Sequence, residues 1–159
     1  MRIINTGGTF NKRYDPVKGE LFVPKDDCAV ETILKSLVID IPVSGVVYKD
    51  SLEMDDQDRK VLADAIVRCD EKTVIVVHGT DTIDLSAEYV DHLKLDKVVV
   101  FTGAMVPFHI DPLEATANLA MAIGYARNVK NGVYIVIQGV MNSFKQVKKN
   151  KSVGKFEYV

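Results

Sequence analysis

The sequence predicts an α/β domain with a mainly parallel, doubly wound sheet and helices on both faces. Three observations predict it. Short β-branched runs alternate with longer stretches whose apolar residues recur at helical spacing. Several of the short runs are apolar at consecutive positions, as strands buried on both faces require. Polar, glycine-containing segments follow the runs, where the ligand crevice of an open α/β sheet lies.

The first strand is read at residues 2–5 and ends in Thr6-Gly7-Gly8-Thr9. Residues 7–27, rich in Gly, Lys, Asp and Pro, are too long for an ordinary connection. Their stretch "YDPVKGELFV" predicts a hairpin or a mobile flap. A helix is expected over 28–37 and a second strand over 45–48. Asp55 and Asp56 supply a helix start ahead of "RKVLADAIV", so the next helix is read over 56–68. A strand at 73–77, a helix at 85–93, a strand at 97–101, a helix at 113–128 and a last strand at 133–137 complete the alternation. The lysine-rich stretch 145–155 follows that strand and reads, on composition, as a solvated tail.

A chain of 159 residues forms one domain and buries a proper core without disulfides. Its formal charge of −2 leaves no broad basic surface, which speaks against nucleic acid or an anionic membrane as partner. No stretch approaches the roughly 18 apolar residues of a membrane span, and the N-terminal apolar run is too short for a signal peptide. Cys28 and Cys69 stand far apart, outside any metal-ligand spacing, and read as reduced thiols of a cytoplasmic protein. The three histidines are scattered, with no zinc pattern.

The candidate site follows from what the strands end in. Thr6-Gly7-Gly8-Thr9 follows strand one, Asp50-Ser51 strand two, His78-Gly79-Thr80-Asp81-Thr82 strand three, and Gly103-Ala104-Met105 strand four. Such hydroxyls and carboxylates at one sheet edge suit a small polar ligand. Gly7 and Gly8 can take positive φ and expose N–H groups at close range, and Gly79 does the same before Thr80. Phosphate cradling is not supported: the P-loop lysine and the three-glycine dinucleotide fingerprint are both missing. There is no Gly-x-Ser-x-Gly elbow either. What remains is a threonine nucleophile, which needs a base within hydrogen-bond reach. Asp81, Lys149 or a relaying hydroxyl are the candidates, since a desolvated lysine can serve as a base. His78 reads as structural, Met105 and Met141 as core or pocket lining, and His109 and Asp111 as parts of a proline-containing loop.

The motifs "NTGGTF", "VVHGTDTIDLSAEYV" and "VVVFTGAMVPF" resemble those of the bacterial-type L-asparaginases, the two-threonine amidohydrolases. The resemblance runs from residue 1 to about residue 156. It implies a flavodoxin-like sheet and hydrolysis of the side-chain amide of asparagine or a related small amide, with no metal or organic cofactor. It makes Thr9 the nucleophile, with Thr80, Asp81 and Lys149 completing the catalytic group. Lys149 is singled out by aligning "GVYIVI" with the family's fifth strand, and Lys148 and Lys151 are its neighbours. Ser51 matches the serine that binds the substrate α-carboxylate, and Asp81 also holds the α-amino group. Gly8, Gly79 and Ala104 are expected around the substrate, with backbone N–H groups near Gly79 and Thr80 facing the oxyanion. Tyr14, or Leu21 in its place, matches the flap tyrosine. Relatives follow this domain with a smaller α/β domain, whose acidic residue completes a neighbouring subunit's site. The resemblance implies that the 159 residues hold only the first domain, with Asp81 and Glu53 as substitutes for that acid. Val106 stands where relatives often have arginine, and Glu114-Ala115 where they have Asp-Gly. A homo-oligomer, in the simplest case a homodimer, is implied. The alternative is an amino-acid-binding protein without turnover.

Overall fold

A computed structural model describes residues 1–159. In chain order the elements are β1 (Arg2–Gly7), α1 (Gly8–Asn11), β2 (Arg13–Asp15), β3 (Glu20–Phe22), α2 (Cys28–Ser36), β4 (Val43–Lys49), α3 (Asp56–Arg68), β5 (Thr73–Val77), α4 (Ile83–His92), β6 (Val98–Thr102), α5 (Pro112–Ala126), β7 (Gly132–Ile137), β8 (Val140–Ser143), β9 (Val147–Asn150) and β10 (Lys155–Tyr158). Short 3₁₀ turns cover Ser51–Glu53 and Phe144–Gln146.

Six strands form one sheet in the order β4-β1-β5-β6-β7-β8. The first five are parallel and β8 is an antiparallel edge. Two buried layers sandwich the sheet. Ile3, Ile75, Val77 and Val100 pack with Ala29, Ile33, Leu119 and Ala122 of α2 and α5. Ile4, Val76, Val99 and Ile135 pack with Leu62, Ile66, Ala87 and Val90 of α3 and α4. Successive strand residues therefore serve opposite faces, which is why these runs are apolar throughout. The winding reverses between β1 and β5, and that reversal opens a crevice above their C-terminal ends. None of the helices is long and apolar enough to cross a membrane.

Local chemistry sets the helix starts. Asp55 and Asp58 form a reciprocal capping box at α3, with N–H to carboxylate distances of 2.9 and 3.1 Å. Asp111 accepts from the Leu113 N–H ahead of α5, with Pro112 in the first turn.

One part of the chain follows the sequence reading and two depart from it. Residues 13–22 form the expected hairpin, β2 pairing with β3 so that Tyr14 faces Leu21. The chain does not end its strands at β7: β8 returns through a two-residue turn, and the lysine-rich stretch is the β9–β10 hairpin rather than a solvated tail. Val147 and Phe156 anchor that hairpin, fully buried against the α3/α4 side of the sheet. Met141, read as core or pocket lining, lies exposed on the edge strand β8.

Candidate active site

The ends of β1 and β5 are latched together. Thr6 Oγ1 donates to the Val77 carbonyl at 3.0 Å. The Gly7 N–H donates to Asn5 Oδ1 at 3.0 Å. Gly8 then takes a φ of 64°, and a Cβ there would stand 2.5 Å from both Cα and N of Gly79. Only glycine permits that approach. It sets Thr9, half-buried in the single turn α1, beside the segment that carries Thr80.

A second glycine contact brings in the loop after β4. A Cβ on Gly79 would lie 2.6 Å from Cβ and Oγ of Ser51. Ser51 Oγ accepts from the Asp81 N–H at 3.3 Å, and the Ser51 carbonyl accepts from Thr82 Oγ1 at 2.8 Å. Asp50 accepts from the Leu52 N–H and pairs with Lys12 at 2.5 Å, tying the Thr9 turn to the Ser51 segment. Burial pushes the Asp50 carboxyl up. The Lys12 ammonium, the Leu52 N–H and the Lys149 charge outweigh it and hold the group below its ordinary range.

Lys149 reaches the site from the β9–β10 hairpin. Val147 and Lys149 point inward while Lys148 is exposed, as strand alternation requires. The Lys149 side chain is only 9% exposed, and Nζ donates to Thr80 Oγ1 at 2.8 Å and to Asp81 Oδ1 at 2.7 Å. The Thr80 hydroxyl donates in turn to Met105 Sδ at 3.3 Å. One amine thus bridges a hydroxyl and a carboxylate in a largely dehydrated setting, where such contacts are strongest. A cavity of about 120 Å³ lies alongside, lined by Thr80, Asp81, Asp84, Val147, Lys149 and Phe156. A wider one of about 330 Å³ opens between the β2–β3 flap and the Asp50 loop, where Lys12, Leu21, Asp50 and Glu53 line it.

His78 makes no hydrogen bond to any of these side chains. It is fully buried, edge-on to Phe101, and its Nδ1–H donates to the Gly79 carbonyl at 2.7 Å while Nε2 has no partner. Burial pushes its pKa down from 6.5 to about 4. Between those values the unfolded chain takes a proton that the folded one refuses. The stability contribution is therefore complete above pH 6.5 and falls as the pH drops through the window, by on the order of 3 kcal/mol in all. Denaturant midpoints measured across this range should show that slope, and His78→Asn should remove it.

The structure thus brings together Gly8, Ser51, Gly79, Thr80, Asp81 and Lys149. Thr9 adjoins them through Gly8, but the Thr80 hydroxyl bonds Lys149 and Met105 rather than Thr9. Tyr14 is 59% exposed on the outer flap. Ala104 is fully buried in the core cluster of Phe10 and Val136, so in this arrangement it presents no surface to a ligand. Sequence reasoning missed Met105 as an acceptor, the Lys12–Asp50 pair, and Glu114, whose Oε2 accepts from the N–H groups of Met105 and Val106 at 3.0 Å each. Nothing in the spacing of these residues marks them. Glu114 does stand near the start of α5, where a carboxylate is favoured.

Sheet order and polar cluster together define a flavodoxin-like domain with its candidate site at the β1/β5 switch point. The chain belongs to the asparaginase family: residues 1–156 match the domain described as "Asparaginase, N-terminal". Among solved structures, the thermostable L-asparaginase from Thermococcus kodakarensis aligns with a TM-score of 0.83 at 22% identity, over 99% of this chain and 50% of that one. The probable cytoplasmic L-asparaginase from Campylobacter jejuni gives 0.82 at 28% identity, again over 99% and 50%. L-asparaginase I from Vibrio cholerae gives 0.83 at 20% identity with the same coverage. The chain therefore spans about half the length of these relatives. No curated protein matches it significantly by sequence.

Proposed function

We propose that this domain carries the reacting centre of an asparaginase-like amidohydrolase, with Thr9 as nucleophile and Thr80, Asp81 and Lys149 as the proton-transfer group. The observation that carries the reading is the Lys149 amine, held 2.8 Å from Thr80 Oγ1 and 2.7 Å from Asp81 Oδ1. Thr9 Oγ1 attacks the side-chain amide carbon of asparagine or a related small amide. Its proton passes to the Thr80–Lys149–Asp81 group and from there to the leaving nitrogen, which departs as ammonia. Water then attacks the Thr9 ester, and the same group returns a proton to Thr9 Oγ1. Ser51 is assigned to the substrate α-carboxylate, and Asp81, with Glu53 nearby, to its α-amino group. Tyr14 is assigned to the flap that closes over the reaction. The two unpaired cysteines and the cytoplasmic description of the Campylobacter jejuni relative support a cytoplasmic setting. A homodimer is the assembly this reading adopts.

A second reading has its own support. The Thr80 proton rests on Met105 rather than on Thr9, as an amino-acid-binding protein without turnover would allow. Ammonia release from asparagine, glutamine and small acylated amides separates the two. Wild-type turnover that falls on the order of a thousandfold or more in Thr9→Ala is expected. Saturable ligand binding with no ammonia supports the second reading. Unchanged turnover in Thr9→Ala removes Thr9 as nucleophile.

A further inference from the structure

The strand that carries Lys149 lies outside the main sheet, paired only with β10. Sheet pairing therefore does not fix where its amine falls. Gln138 bears on that question. It opens the two-residue turn between β7 and β8, closed by the Ile137–Val140 pair, with φ of 52° at Gln138 and 81° at Gly139. Two successive positive φ angles make a type I′ turn, whose first position favours asparagine. A glutamine there is strained, and its extra methylene needs a reason.

The reason lies in its partners. The Gln138 N–H donates to Asn118 Oδ1 at 2.9 Å, which holds the backbone against α5. Its side-chain Oε1 accepts from the Phe156 N–H at 3.0 Å. Phe156 stands directly opposite Lys149 in the β9–β10 register. Gln138 Nε2 donates to Glu114 Oε1 at 3.3 Å, while Glu114 Oε2 holds the Met105 N–H. Lys149 and Met105 are the two partners of the Thr80 hydroxyl. One amide group thus holds the backbone behind both of them.

We propose that Gln138 is a positioning residue that sets the Lys149 amine and the Met105 sulfur on either side of the Thr80 hydroxyl. A side chain one carbon–carbon bond shorter, about 1.5 Å, cannot reach both Phe156 and Glu114. The kinetic consequence rests on the amidohydrolase reading above, whereas the positioning itself does not.

The test is Gln138→Asn, the residue the turn itself prefers. A glutamine that served only the turn would leave the variant at least as stable and fully active. Positioning predicts a kcat reduced about tenfold or more and a KM within about twofold in a variant that stays fully folded at the assay temperature. It also predicts faster hydrogen exchange at the Phe156 amide and faster acylation of Lys149 by an amine-reactive ester, both read by peptide mass. Wild-type kcat with unchanged exchange and acylation would overturn the proposal. If the wild type releases no ammonia, the amidohydrolase reading fails. The exchange and acylation rates of Gln138→Asn then still decide the positioning, rising if it is correct and staying at wild-type values if it is not.

Discussion

Lys149→Met is expected to lower ammonia release on the order of a thousandfold while the domain stays folded. Methionine keeps an unbranched apolar stem against Val147 and Phe156, so the β9–β10 hairpin retains its packing. What disappears is the donor to Thr80 Oγ1 and Asp81 Oδ1, and with it the group that the proposed mechanism uses to accept and return the proton of Thr9. The Asp81 side chain is 35% exposed, so water takes over its solvation and the cost in stability stays at about 1 kcal/mol. A steady-state ammonia assay together with a urea melt separates the two effects. Retained activity would move the proton transfer to another group.

Gly8→Ala is expected to damage fold and chemistry together. Alanine at φ 64° pays the left-handed penalty of an L-residue, about 1–2 kcal/mol. Its Cβ would also enter the backbone of Gly79, and forced overpacking of that kind costs a further 1–3 kcal/mol or so. The neighbour is main chain, so a side-chain rotation cannot relieve the contact. Either Thr9 or the Thr80 segment must move, and misplacement by about 1 Å reduces rate on the order of a hundredfold. Denaturation midpoints should therefore fall by roughly twice as much as in Gly19→Ala, or more. Gly19 shares the positive φ, but a Cβ there meets nothing within 4 Å. Equal losses in the two variants would show that φ alone matters and that the Gly8–Gly79 approach does not.

The central sheet was readable because its strands are buried on both faces. Val74, Val76, Val99 and Phe101 serve one layer while Ile75, Val77, Val98 and Val100 serve the other, so nothing polar interrupts the runs. The order of polar segments at the strand ends was readable for the same reason, since parallel strands put all these loops on one edge. The β9–β10 hairpin was hidden because its apolar burial depends on Val147 and Phe156, amid lysines that dominate the composition. β4 itself was expected over 45–48, and only its irregularity was hidden. "VSGVVYK" reads as a regular strand, yet the register with β1 slips between Asn5 and Gly7. Val47 and Tyr48 take φ of 70° and 50°, against the preference of β-branched and aromatic residues. The bulge turns the Tyr48 ring over Gly45 and lets its hydroxyl donate to Asp27 Oδ1 at 3.1 Å. It also redirects the chain into Asp50 and Ser51. Long-range contacts of that kind, like Glu114 on the Met105 N–H, leave no local signature in the sequence.

The most direct test of Thr9 as nucleophile is to quench the wild-type protein with acid during turnover of asparagine and map its peptides by mass. An aspartyl ester on the peptide containing Thr9, absent from Thr9→Ala, is the predicted result. Ammonia release with no ester on that peptide and undiminished activity in Thr9→Ala would contradict it.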